Sequence, residues 1–179
     1  MEGFEVTYLG VQKNGLVDLN SLRDAIRPAT CLVSCMAAHN EIGVVQPFRE
    51  IGALCRKHKV LFHTDAAQAL STIPIHVEQD NIDLMSMSAH KIYGPKGCGA
   101  LYVRRRPRVR LRSPVSGGGQ ERGIRSGSVA TPLVVGMGAA CTLIVQEQAR
   151  DAAHALTLRN RLLHGLQARL PHIIVNGDL

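Results

Sequence analysis

Ile82-Asp83-Leu84-Met85-Ser86-Met87-Ser88-Ala89-His90-Lys91-Ile92-Tyr93-Gly94-Pro95-Lys96-Gly97 decides how this 179-residue chain is read. Its first six residues alternate apolar and polar side chains and predict a strand. Gly94, Pro95 and Gly97 then force a turn. Lys91 falls where the strand ends, among small and polar neighbours rather than the carboxylates that usually accompany a surface lysine. A lysine held there can lose its proton by desolvation and attack an aldehyde. A lone lysine after a strand is ordinarily loop chemistry, so the reading needs companions.

They lie upstream. Val60-Leu61-Phe62 predicts a strand, and His63-Thr64-Asp65-Ala66-Ala67-Gln68 follows it, which puts Asp65 near a second strand end. Cys31 to Met36 predicts a third strand, running into Ala37-Ala38-His39-Asn40-Glu41-Ile42-Gly43. In open α/β sheets ligands gather at the carboxyl ends of strands. A pyridoxal phosphate site needs a carboxylate against the ring nitrogen, because the protonated ring is the electron sink. Asp65 can supply that charge, Gln68 can donate to the ring's phenolic oxygen, and Asn40 offers a neutral hydrogen-bonding group at the same edge. The plainer reading makes Asp65 a helix cap and Asn40 a turn residue. Three consecutive strands that each deliver polar residues at one end are hard to explain by core packing.

The motifs His39-Asn40-Glu41-Ile42-Gly43-Val44, His63 to Gln68, Ser88 to Gly97 and Gly117-Gly118-Gly119-Gln120-Glu121-Arg122-Gly123-Ile124-Arg125-Ser126-Gly127 carry a family resemblance. The chain resembles the class V aminotransferase group of fold-type-I pyridoxal phosphate enzymes, and within it the IscS/NifS-type cysteine desulfurases. Arg104-Arg105-Arg106-Pro107-Arg108-Val109-Arg110 and Thr131-Pro132-Leu133-Val134-Val135-Gly136 look closest to the eukaryotic mitochondrial branch. The resemblance implies that Lys91 carries the cofactor covalently, that Asp65 pairs with the ring nitrogen, and that Gln68 and Asn40 contact ring substituents. Ser88 and His90 would hold the phosphate or orient the linkage; Lys91, which would also serve as the base, and His90 are the catalytic residues the resemblance implies. Ser128 stands where the family has a threonine reaching the phosphate of the partner subunit's cofactor, and it keeps the hydroxyl. His39 departs from the more usual asparagine before Asn40.

The resemblance further implies conversion of L-cysteine to L-alanine with an enzyme persulfide for iron-sulfur cluster assembly, in a homodimer. It implies docking of an iron-sulfur scaffold protein and of frataxin, and a mitochondrial address. No targeting segment is read in this chain, so the cytosol or nucleus remains as an alternative. The mobile-loop cysteine, the N-terminal phosphate-binding turn and the substrate-carboxylate arginine of the family are not found between Met1 and Leu179. The expectation is therefore a central piece of a longer enzyme, inactive alone. Two other readings stay open: a non-catalytic remnant that keeps a docking surface, and a selenocysteine lyase-type activity.

None of the five cysteines offers an evident replacement nucleophile. Leu133, Met137, Ala140, Cys141 and Ile144 recur at helical spacing, so Cys141 reads as a small buried hydrophobe. Cys31 and Cys35 lie on a predicted strand and Cys55 on a predicted helix, which leaves Cys98, near Lys91, as the one to watch. No cysteine pair or histidine cluster has metal-ligand spacing. An odd cysteine count without a signal peptide suggests a reducing compartment.

Hydrophobic residues make up 45% of the chain, ample for a core, and no run approaches the ~20 apolar residues of a membrane helix. No internal repeat is visible. The net charge of +7 is concentrated in Arg104, Arg105, Arg106, Arg108, Arg110 and Arg112. Nucleic-acid binding would want interleaved aromatics for stacking, and three tyrosines, three phenylalanines and no tryptophan do not provide them. A docking surface for an acidic protein is the better reading. The glycine-rich Ser116 to Ser128 segment lacks the Gly-Lys-Ser/Thr ending of a nucleotide-binding loop.

The elements expected are strands at Phe4–Leu9, Cys31–Met36, Val60–His63, Asp83–Ser88, from Ala100 to Arg104, and at Ile173–Val175. Helices are expected at Asn20–Ile26, Pro47–His58, Leu133–Gln148 and Ala152–Leu170. This alternation predicts a three-layer α/β fold, a mostly parallel sheet with helices on both faces. Residues 1–150 would form part of a large cofactor-binding domain, and residues 151–179 the start of a small C-terminal α/β domain.

Overall fold

A computed structural model describes residues 3–179. Helix α1 (Leu19–Ala25) begins at Asp18, whose carboxylate accepts from the Asn20 and Ser21 backbone N–H groups and from the Ser21 hydroxyl at 3.3, 3.1 and 2.7 Å. Those bonds hold the Asp18 carboxyl below its ordinary pKa. They satisfy donors that a helix start otherwise leaves orphaned. Helix α2 (Phe48–His58) buries Phe48, Ile51, Gly52 and Cys55, one face at three- and four-residue spacing. It stops at Lys59, which takes a left-handed conformation with φ 58°. At Gly52 the helix comes so close to the next loop that a Cβ would run into the Asp80 carbonyl oxygen.

Four strands form one sheet in the order β1 (Leu32–Met36), β2 (Leu61–Asp65), β3 (Leu84–Ser88), β4 (Gly99–Val103). The first three are parallel, and β4 returns antiparallel to β3. Helix α2 is the crossover between β1 and β2 and packs on both. The alternation of side chains along each strand sends Val33, Cys35, Phe62, Met85 and Met87 into the core with Ile51, Cys55 and Ile82. On the opposite face Leu32, Met36 and Leu101 stand exposed.

Arg104, just past β4, is only 2% exposed. Its Nε lies 2.9 Å from an Asp83 carboxylate oxygen, and its Nη1 2.6 Å from Glu78. Nη2 donates to the Val77 and Ile82 carbonyls at 2.7 and 2.8 Å. Asp83 in turn accepts from the Phe62 N–H at 2.9 Å, so one buried pair pins the 77–83 loop to β2 and to the start of β3. Arg104 therefore leaves the predicted arginine surface, whereas Arg105, Arg106, Arg108 and Arg110 are exposed.

Several expected elements differ. Phe4–Leu9 joins no β-ladder among the described residues and is exposed along most of its length, and Ile173–Val175 forms no strand. A strand needs a neighbour for its backbone groups, and the described residues place none beside either segment. The two expected C-terminal helices are one, α3 (Thr131–Gln167), unbroken through Arg150. No glycine or proline interrupts Gln148 to Ala152, so nothing there stops the helix. Cys141 is exposed on it, while Met137, Ala140 and Ile144 are buried. The buried stripe runs through the neighbouring position 140, and position 141 falls on its open flank. Among the described residues no helix is long and apolar enough to cross a membrane.

Candidate cofactor site

Parallel pairing of β1, β2 and β3 brings their carboxyl ends to one edge, and the sheet ladder continues past them. Ala37 N–H donates to the Asp65 carbonyl at 2.8 Å and Ala66 N–H to the Ser86 carbonyl at 3.0 Å. From this edge come the predicted site residues, with Asn40 after β1, Asp65 and Gln68 at and after β2, and Ser88, His90 and Lys91 at and after β3.

Asn40 is exposed in a tight loop closed by His39 N–H to the Val44 carbonyl, 2.9 Å. The Nδ1 of His39 accepts from the Glu41 N–H at 3.1 Å. The unusual histidine thus shapes the turn that carries Asn40. Asp65 is exposed, and one of its oxygens accepts from the Ala67 N–H at 2.9 Å. No helix follows for it to cap, only the turns of residues 67–72. Its second oxygen has no hydrogen bond among the described residues. Gln68 is half-buried on those turns.

Lys91 lies on a single 3-10 turn, Ala89–Ile92, anchored by buried Ala89 and Ile92. The turn is closed by Gly94 N–H to the Ala89 carbonyl at 2.9 Å, and tied to the base of β4 by Ala89 N–H to the Cys98 carbonyl at 3.1 Å. The Oγ of Ser88 and Nδ1 of His90 are hydrogen-bonded at 3.0 Å, so these two side chains act as a unit. The amine of Lys91 is exposed and makes no ion pair among the described residues, so no burial desolvates it here. Ser128 is exposed in the glycine-rich segment, and no hydrogen bond joins it to the Lys91 turn.

Helix α3 supports this edge from behind. Ile92 packs with Ala140 and Ile144. A Cβ on Gly94 would meet Ala140, and one on Gly136 would meet Pro95. The Gln148 side-chain amide donates to the Leu70 and Ile73 carbonyls at 2.8 and 3.0 Å, holding the loop after Gln68. Sequence reasoning missed this brace. A polar Gln148 in an otherwise apolar helical register was its only signal.

A second missed feature is a polar row across the open sheet face. Ser34 Oγ meets His63 Nδ1 at 2.8 Å, and His63 Nε2 meets Ser86 Oγ at 2.9 Å. Partial burial lowers the His63 pKa, and the nearby Asp65 charge opposes that shift. The alternation His63-Thr64-Asp65, which places His63 and Asp65 on one face, was the signal that could have found it.

The edge thus places the exposed amine of Lys91 and the exposed carboxylate of Asp65 at the ends of adjacent strands. Residues 1–178 match the aminotransferase class-V family. The chain belongs to that family. Within it, the chain is 61% identical over 178 residues to "Cysteine desulfurase, mitochondrial" of Arabidopsis thaliana, covering 99% of this chain and 39% of the relative. DndA from Streptomyces lividans superposes with a TM-score of 0.89 at 39% identity, over 98% of this chain and 50% of that one. A structure described as SspA in complex with cysteine superposes with a TM-score of 0.75 at 47% identity, over 78% of this chain and 40% of that one. The chain thus spans less than half the length of the curated relatives it matches. The IscS/NifS-type resemblance and the mostly parallel α/β fold are both borne out.

Proposed function

We propose that this chain carries pyridoxal 5'-phosphate contacts of a cysteine desulfurase, with Lys91 as the attachment residue. The observation that supports it most is the placement of an exposed amine, Lys91, and a carboxylate with one uncommitted oxygen, Asp65, at adjacent carboxyl ends of parallel strands. Those groups suit the cofactor. When bound, it supplies an aldehyde that takes up an amino group and a ring that accepts the electron pair released at the substrate's α-carbon.

The protein's own contribution follows from the site. Lys91 Nζ would hold the cofactor's aldehyde carbon and, kept in place by its turn, would take and return a proton at the substrate α-carbon. Asp65 would hold the ring nitrogen and favour its protonated form. Gln68 and Asn40 address ring substituents, and the Ser88–His90 pair holds the phosphate side. Ser128 reaches the cofactor of a second subunit in a homodimer. The reaction consumes L-cysteine and a protein thiol and yields L-alanine and a persulfide, so the sulfur moves from substrate to thiol and atoms balance.

Iron-sulfur assembly in mitochondria is the setting this reading favours, supported by mitochondrial relatives of the same name. The exposed Arg105, Arg106, Arg108 and Arg110, beside a cleft of about 700 Å³ that Arg122 also lines, form the surface proposed for an acidic partner such as frataxin and for the scaffold protein. Residues 1–150 form the cofactor-binding part, and residues 151–179 begin a second domain.

Borohydride reduction in the presence of pyridoxal phosphate, followed by peptide mapping, tests the assignment. The adduct is expected on Lys91. An adduct on Lys96 with Lys91 unmodified overturns it.

A further inference from the structure

The cofactor contacts proposed above leave the row Ser34–His63–Ser86 without a task. It spans three strands on the sheet face that also carries Asp65. Both ring nitrogens of His63 meet hydroxyl oxygens, at 2.8 and 2.9 Å. Hydroxyls donate or accept as required, so a neutral imidazole is fully satisfied there in either tautomer. Asp65 follows two residues later on β2, about 7 Å along the strand by the usual rise. The register partner of Asp65 on β3 is Ser86, so the hydroxyl beside the carboxylate on that strand is already committed to His63.

We propose that His63 is a positioning residue for Asp65: held neutral between Ser34 and Ser86, it leaves the carboxylate uncompensated for the protonated ring nitrogen of pyridoxal phosphate. The inference rests on the reading of Asp65 as the ring-nitrogen partner. A protonated His63 would place a cation on the same face as the carboxylate, where it both competes with the ring nitrogen and weakens the field that keeps that nitrogen protonated. Asp65 is the charged group acting on His63. The neighbouring strands present Leu32, Ser34 and Met36 from β1 and Leu84, Ser86 and Ser88 from β3 on this face, none of them charged. Half-burial of the ring keeps the proton off, and the two hydroxyls keep the ring in place.

The inference deepens the cofactor reading because it assigns the site a pH limit that does not depend on Lys91. Pyridoxal 5'-phosphate affinity is measured by fluorescence titration of the wild-type chain and of His63→Gln, whose amide keeps a donor and an acceptor but cannot be protonated. Between about pH 7.5 and about pH 5, the interval across which an imidazole titrates, wild-type affinity should fall at least about threefold more than that of His63→Gln. The His63 ring is followed by NMR in parallel. Its midpoint should lie below the ordinary histidine value, and lower still in Asp65→Asn, which removes the opposing charge.

Identical pH profiles for wild type and His63→Gln overturn the inference while leaving the cofactor reading intact. So does a His63 midpoint at or above the ordinary value, a measurement that stands even where His63→Gln fails to fold. A wild-type chain that binds no pyridoxal phosphate at any pH overturns the cofactor reading, and the role of His63 toward the ring with it. A purely structural His63 would move the melting temperature and leave the two pH profiles parallel.

Discussion

Arg104→Met is the sharpest test of how the site is held. Arg104 is 2% exposed, and its guanidinium makes ion pairs to Asp83 and Glu78 and hydrogen bonds to the Val77 and Ile82 carbonyls. Glu78 is 73% exposed, so its half of the network is screened and counts for little. Asp83 is 6% exposed on its side chain and keeps only the Phe62 N–H and a more distant Arg56 at 3.7 Å once Arg104 is gone. Methionine fills the space of the aliphatic stem but leaves a buried carboxylate without its close cation and the Ile82 carbonyl without its guanidinium donors, while the Val77 carbonyl keeps the Ile82 N–H at 2.9 Å. Breaking a buried pair from one side costs about 3–5 kcal/mol, a large share of the roughly 5–15 kcal/mol typical of a domain. Urea unfolding followed by circular dichroism should show a lower midpoint with little change in slope. Arg104→Met combined with Asp83→Asn should recover part of the loss, because the amide still accepts from Phe62 N–H and buries no charge. A single variant within about 0.5 kcal/mol of wild type would refute the view that this pair anchors the loop and the start of β3.

Two further outcomes concern the site and the thiols. Asp65→Asn keeps the acceptor for the Ala67 N–H and should fold as wild type. It should lower turnover, in whatever form of the protein shows it, by about a hundredfold, near 3 kcal/mol; near-normal turnover would reduce Asp65 to a turn residue. Burial pushes the Cys35 thiol up to about 11 and the Cys55 thiol up to about 12, so neither supplies a thiolate near neutrality. The purified chain should release no alanine from cysteine, since the sequence reading gives none of its cysteines the nucleophile's role. Robust release abolished by Cys98→Ala would show that a local thiol has taken the nucleophile's place. Because both thiols bind protons more tightly folded than unfolded, stability should fall as pH rises from about 9 through those values, read by thermal melts in alkaline buffers.

How much was legible in the sequence depended on the range of the interaction that decides each feature. Strands β1 to β3 and helices α1 and α2 announce themselves through local alternation and helical spacing, and the structure places them within one or two residues of expectation. Asn40, Asp65 and Lys91 come to one edge for a related reason: Asp65 ends β2, Asn40 and Lys91 lie in the short turns after β1 and β3, and parallel pairing carries these ends together. Phe4–Leu9 and Ile173–Val175 have the composition of strands, but a strand exists only where another backbone receives it, and that is information their own residues do not hold. Arg104 looked like one of six equivalent arginines because the carboxylate that buries it, Asp83, lies 21 positions away and reaches it only through the antiparallel return of β4.

His63 shows the same limit at the site itself. Its neighbours in sequence, Phe62 and Thr64, point to the opposite face and are buried there, so a reading along the chain sees only a histidine before a carboxylate. Its hydrogen-bond partners, Ser34 and Ser86, come from the strands on either side and become visible only once the β1–β2–β3 register is known. Asp65 has the converse history. Its proposed role was suggested by its place at a strand end, whereas the half-buried His63 ring proposed to support that role shares its face and is seen only in the fold. In a parallel sheet the residue that binds and the residue that sets its charge balance can stand two positions apart. The first is legible from the motif, and the second from the strands that flank it.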